Sequence, residues 1–149
     1  MGTKEVRWSF DVMHRDTLCT HVDVMSDLSI EFENFTDDIF ITAFGREKEV
    51  DFTMLEEFFE SRCFERGRAD KDELLRGLGL SSYEPLDIAR VTHGVLIDDF
   101  TWIRFEGETL TWHDICEMYR KGLPNWFSVV LLKELTLAIN SFIEVFENV

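Results

Sequence analysis

The first forty-odd residues alternate between apolar and polar side chains. Val6, Trp8, Phe10 and Val12 interleave with Arg7, Ser9 and Asp11. Leu18, Thr20, Val22 and Val24 interleave with Cys19, His21 and Asp23, and Leu28, Ile30 and Phe32 with Ser29, Glu31 and Glu33. A period of two places one set of side chains in a core and the other in water, which predicts strands. Ile39, Ile41 and Ala43 form a fourth run ahead of Gly45. Turn chemistry sits between the runs at His14-Arg15-Asp16, Ser26-Asp27 and Thr36-Asp37-Asp38. Connections this short predict an antiparallel meander of about four strands.

The period then changes. Leu55, Phe58, Phe59 and Phe64 recur at helical spacing behind Thr53 and Glu56, which have the spacing of a capping box, and the stretch ends before Gly67. Asp70 and Glu73 repeat that spacing ahead of a short helix from Lys71 to Leu78, stopped by Gly79. Pro85 suits the first turn of a third helix, with Leu86, Ile88, Ala89 and Val91 on one stripe and Gly94 closing it. The run Asp98-Asp99-Phe100-Thr101-Trp102-Ile103-Arg104-Phe105 reads as a later strand, with Phe100 and Trp102 on one side and Ile103 and Phe105 on the other. Thr111 with Asp114 opens a helix through Lys121, ended by Gly122 and Pro124. Asn125 is placed to cap a long last helix to about Glu147, apolar over a wide arc. Such a helix belongs either at the centre of the core or in an oligomer interface, so a homodimer through it is one expectation. No internal repeat or Pro/Gly/Ser linker divides the chain. The expected architecture is one α+β domain over residues 1–149: a small N-terminal antiparallel sheet of about four strands, four to five helices and one later strand.

Composition excludes disorder: 45% of the residues are apolar and 14 are Phe, enough to offset the entropy of ordering. Cys19, Cys63 and Cys116 are widely spaced, with no CxxC pair, which fits buried, reduced thiols and a cytoplasmic protein. The N-terminus lacks the apolar core of a signal peptide. The most apolar stretch, Trp126 to Phe146, is interrupted by Lys133, Glu134 and Asn140 and does not read as a membrane span.

Charge changes the picture most. Thirty acids face fifteen Lys and Arg, a net of −15 in 149 residues. Between Asp11 and Glu60, fourteen acids meet only Arg15, Arg46 and Lys48, a net of −11; from residue 101 on, the net is only −3. A field of that size repels nucleic acid and attracts basic surfaces. Asp11, Asp23, Glu31 and Glu33 fall on the wet faces of their strands. Alternate strand residues are about 6.6 Å apart, comparable to the phosphate repeat of an extended nucleic-acid strand. With Asp37, Asp38, Glu47, Glu49 and Asp51 nearby, the N-terminal half presents a phosphate-like array suited to a Lys/Arg-lined channel. The plainer reading is a solvated sheet face whose acids serve solubility and protect an edge.

Other chemistry is sparse. Asp37-Asp38 and Asp98-Asp99 are acid pairs that could hold Ca²⁺ or Mg²⁺, but neither sits in an EF-hand pattern. His14, Cys19 and His21, or His113 and Cys116, fall short of a zinc ligand set. His93 at a helix end, with Asp98 and Asp99 downstream, has the makings of an acid–base pair, although the helix dipole alone favours a histidine there. Arg62, Arg66, Arg68, Lys71 and Arg76 form a short basic patch, expected to pair with Glu65, Asp70, Asp72 and Glu73. No nucleophile elbow, P-loop or dinucleotide fingerprint is present. No enzyme, cofactor or resident metal is expected.

Phe58-Phe59-Glu60-Ser61-Arg62-Cys63-Phe64, Leu74-Leu75-Arg76-Gly77-Leu78-Gly79-Leu80, Tyr83-Glu84-Pro85-Leu86-Asp87-Ile88, Thr92-His93-Gly94 and Asp98 to Phe105 resemble a segment of uncharacterised proteins carried by bacteria and their mobile elements, over about Asp51 to Glu108. In size, charge and lack of catalytic motifs the chain is similar to small phage- or plasmid-borne inhibitors, among them anti-CRISPR and acidic anti-restriction proteins. That resemblance implies an inhibitor from a phage or mobile element. Its partner would be a basic nucleic-acid-binding protein of the host, a CRISPR effector nuclease being one candidate, and it would block that partner's DNA or RNA site. The alternative is a regulatory interaction module that docks or self-associates through the aromatic C-terminal helix.

Overall fold

Three N-terminal strands form in the expected order: β1 (Val6–His14), β2 (Thr17–Met25) and β3 (Ile30–Asn34). The computed structural model describes residues 4–96 and 99–121. Helices α1 (Phe52–Ser61), α2 (Lys71–Gly77) and α3 (Pro85–Thr92) follow, then strand β4 (Thr101–Phe105) and helix α4 (Trp112–Arg120). The sheet order is β3-β2-β1-β4, every pair antiparallel, so the chain is an α+β fold. The late strand β4 is the fourth member of the N-terminal sheet, placed beside β1.

Residues 39–43 are not a strand. Asp38 Oδ1 accepts from the Phe40 amide at 3.0 Å, and the Ile41 amide donates to the Asp38 carbonyl at 3.2 Å. Local turn bonds have taken the groups a ladder would need. Ala43 and Phe44 then fold back onto the core. The Ala43 amide donates to Thr20 Oγ1, and the Phe44 ring stands 5.1 Å from Phe32 and 5.7 Å from Phe58.

The sheet's inner face carries Phe10, Val12, Val22, Val24, Ile103 and Phe105 against Leu55 and Phe59 of α1 and Ala89 of α3. Its opposite face has two halves. Near the β1–β2 turn, Met13 and Trp102 are covered by Trp112, Ile115 and Cys116 of α4. The remainder carries Ser9, Asp11, His21, Asp23, Glu31, Glu33 and Arg104, in step with the strand register. A third cluster joins Leu74, Leu75 and Leu78 to Tyr83 and Ile88.

Side-chain caps start α1 and α4; the expected Asp70 cap on α2 does not form, because the Asp70 carboxylate pairs with Arg68, and α3 starts on Pro85 without a side-chain cap. Asp51 accepts from the Met54 amide and begins α1, two residues ahead of the Thr53 box read from sequence. An Asp that reaches the third amide of a helix satisfies the same orphan donors, and it arrives first. Thr111 and Asp114 do form a reciprocal capping box on α4. His93 ends α3 in the left-handed conformation, φ 56°. Its carbonyl accepts from the Ile103 amide at 2.8 Å, partly closing the outer edge of β4.

Arg62 departs from expectation. It is 8% exposed, not part of a surface patch. Its Nε donates to the Gly94 carbonyl and its Nη2 to the Thr101 carbonyl, each at 2.7 Å, so one side chain ties α1 to the α3–β4 connection. Arg66 and Arg68 do pair with acids at the surface, Glu60 and Asp70 respectively.

Candidate functional site

The polar half of the outer face is an ordered network. His21 on β2 stands opposite Asp11 on β1, and Asp11 stands opposite Arg104 on β4. His21 Nδ1 lies 2.7 Å from Asp11 Oδ1, and Nε2 lies 2.8 Å from Asp23 Oδ1. Arg104 Nη2 donates to Asp11 Oδ2 at 3.1 Å, and Ser9 Oγ donates to Asp23 Oδ1 at 2.7 Å. A neutral imidazole has one donor, whereas two carboxylates present only acceptors. The arrangement is satisfied in full by the imidazolium. The hydrogen bond to Asp11 raises the His21 pKa, Asp23 adds to it, and partial burial opposes both.

Asp11 and Asp23 are therefore charge-matched within the sheet. The acids beyond them are not. Glu31 faces Asp23 and Glu33 faces His21 from the edge strand β3, both exposed. Asp37 and Asp38 follow on the connection to α1, and Glu47 and Glu49 lie further along it, all exposed. None of these six makes an ion pair among the described residues. Asp51, grouped with them on sequence, is committed to capping α1.

The candidate array thus separates into a neutralised centre and an unmatched margin. Two aromatic rings mark that margin. Phe35 is 52% exposed and Phe40 91%. Between β3 and this connection lies a groove of about 420 Å³ whose walls include Asn34, Phe35, Thr36, Asp37, Ile39 and Thr42. Neither the rings nor the groove figured in the sequence reading, where Phe40 sat inside a supposed strand.

The remaining candidates are dispersed. His93 Nε2 lies 2.8 Å from Glu108 Oε2, with its ring 7% exposed, and Asp99 is engaged with Arg62. The two halves of the proposed acid–base pair have other partners, and Asp98 lies outside the described residues. His14 stands edge-on to Phe100, and Cys19 Sγ donates to the Thr17 carbonyl. Among the described residues no group of three or more His, Cys, Asp or Glu converges as metal ligands. Cys19 and Cys116 are buried and Cys63 is half-buried. Among the described residues no helix is long and apolar enough to cross a membrane. The long last helix, its aromatic residues and the homodimer expected through it fall on residues 122–149, outside the described residues. Comparison of the chain with protein-family models, curated proteins and solved structures returns no match.

Proposed function

We propose that the chain is a non-catalytic acidic inhibitor that docks on the nucleic-acid-binding surface of a basic protein and keeps DNA or RNA from it. The observation that carries this reading is the division of the outer face. Where acids serve only to build the sheet, as at Asp11 and Asp23, cations match them. Along β3 and its exit, Glu31, Glu33, Asp37 and Asp38 stand exposed without such a match among the described residues. Unmatched like charges repel one another and cost stability, which a cationic partner relieves. The similarity in size and charge to inhibitors carried by phages and mobile elements points the same way.

Immobilised chain exposed to bacterial lysate tests the reading. Capture of nucleic-acid-binding proteins should fall steeply as salt rises, and added DNA or RNA should displace them. Reversing Glu31, Glu33, Asp37 and Asp38 together to Lys should abolish capture. Capture that ignores salt and is not displaced by nucleic acid overturns it.

A further inference from the structure

We propose that the groove beside β3 seats one arginine side chain of the partner's basic surface, between the Phe35 ring and the Asp37 carboxylate, with Phe40 as the apolar contact at its rim. This rests on the acidic-docking reading and gives it a centre. A guanidinium is planar, stacks on aromatic faces and meets carboxylates in a fork, whereas an ammonium is a compact point charge. Phe35 and Asp37 line one groove and offer both kinds of contact. Cation–π attraction needs an accessible ring face, and Phe35 is half exposed.

The groove is held open in advance. The Phe35 amide donates to the Cys19 carbonyl at 2.9 Å, the Asp38 amide to Thr36 Oγ1 at 3.2 Å, and the Ala43 amide to Thr20 Oγ1 at 3.1 Å. Phe44 is plugged between Phe32 and Phe58. A loop fixed before binding loses little freedom on binding. Charge selects the occupant. Glu31, Glu33, Asp37, Asp38, Glu47 and Glu49 face only Arg46 and Lys48 on this stretch, a net of −4, which excludes a phosphate and favours a cation.

Fluorescence anisotropy with the full chain at low salt decides the matter, using a labelled nine-residue arginine peptide, its lysine counterpart and an arginine peptide with a central leucine. The arginine peptide should bind tighter than the lysine peptide, and Phe35→Ala should cancel that preference. Asp37→Asn should weaken the arginine peptide about tenfold. Asp72→Asn, an exposed acid on α2, should change it less than about twofold. Phe40→Ala should weaken only the leucine-bearing peptide. Amide NMR shifts on titration should concentrate at residues 34–45. Equal losses from Asp37→Asn and Asp72→Asn, or no preference for arginine, overturn the groove while leaving acidic docking intact. Failure of every peptide to bind at low salt overturns both.

Discussion

Arg62 and Asp99 are joined by two parallel hydrogen bonds, Nη1 to Oδ2 at 2.7 Å and Nη2 to Oδ1 at 2.9 Å, across 37 positions of sequence. The guanidinium is 9% exposed and the carboxylate 37%. Removing the buried partner strands two carbonyls, whereas removing the carboxylate opens the site to water. Arg62→Ala should therefore cost about 3 kcal/mol, and Asp99→Asn less. Urea denaturation midpoints at unchanged slope measure both, and a larger loss from Asp99→Asn would contradict the clamp.

Gly94 sits behind that clamp at φ +64°. A Cβ there would lie 2.8 Å from Ile103 Cδ1 and 3.2 Å from Arg62 Cβ. Gly79 has a similar φ, +77°, with nothing within 4 Å. Gly94→Ala meets both conformational strain and a clash, for about 3 kcal/mol, while Gly79→Ala meets strain alone, about 1 kcal/mol. Melting temperatures of the two variants should rank accordingly.

His21 makes the sheet sensitive to pH. Its folded pKa lies above the ordinary value of 6.5, chiefly through Asp11. The stabilisation is thus complete below the unfolded pKa and is lost as pH rises through the folded one. The stability difference between the native chain and His21→Gln should be largest below the ordinary histidine value of 6.5 and shrink as pH rises above it. The imidazole NMR midpoint should exceed 6.5 and fall further with Asp11→Asn than with Asp23→Asn. A midpoint below 6.5 would refute the bridging geometry.

Burial pushes the Cys63 thiol up to about 12. Against a thiol at 9.0, its thiolate at pH 8 is about a thousandfold scarcer. Iodoacetamide should label Cys63 rapidly in urea and hardly at all in the native chain, as peptide mass spectrometry can show.

Asp51→Ala should cost about 1 kcal/mol through the lost cap. Glu49→Ala, exposed two positions earlier, should stay within about 0.5 kcal/mol. Denaturant midpoints separate this structural acid from its surface neighbours.

The parts of the fold that were legible in the sequence are those set by local period and punctuation. Alternation located β1, β2 and β3, Pro85 opened α3, and the Thr111–Asp114 box opened α4. Ile39, Ile41 and Ala43 alternate just as well, but alternation says nothing of where the backbone groups are paired, and Asp38 paired them locally. Among Arg62, Arg66 and Arg68, nothing near in sequence marks Arg62, because its acceptors lie at positions 94, 99 and 101. The wet-face acids were readable, but their division was not: Arg104 reaches Asp11 from 93 residues away.

The same separation orders the folding of the chain. β1 and β2 close through a two-residue turn, whereas β1 gains its other neighbour only when residues 101–105 arrive. Closing so long a loop is slow relative to forming the hairpin. During synthesis the nascent hairpin therefore waits with the β1 edge, Phe10 and Val12 included, open to any foreign strand. The net −11 of residues 11–60 is already present at that stage, and mutual repulsion keeps such half-built sheets apart until β4 closes the edge.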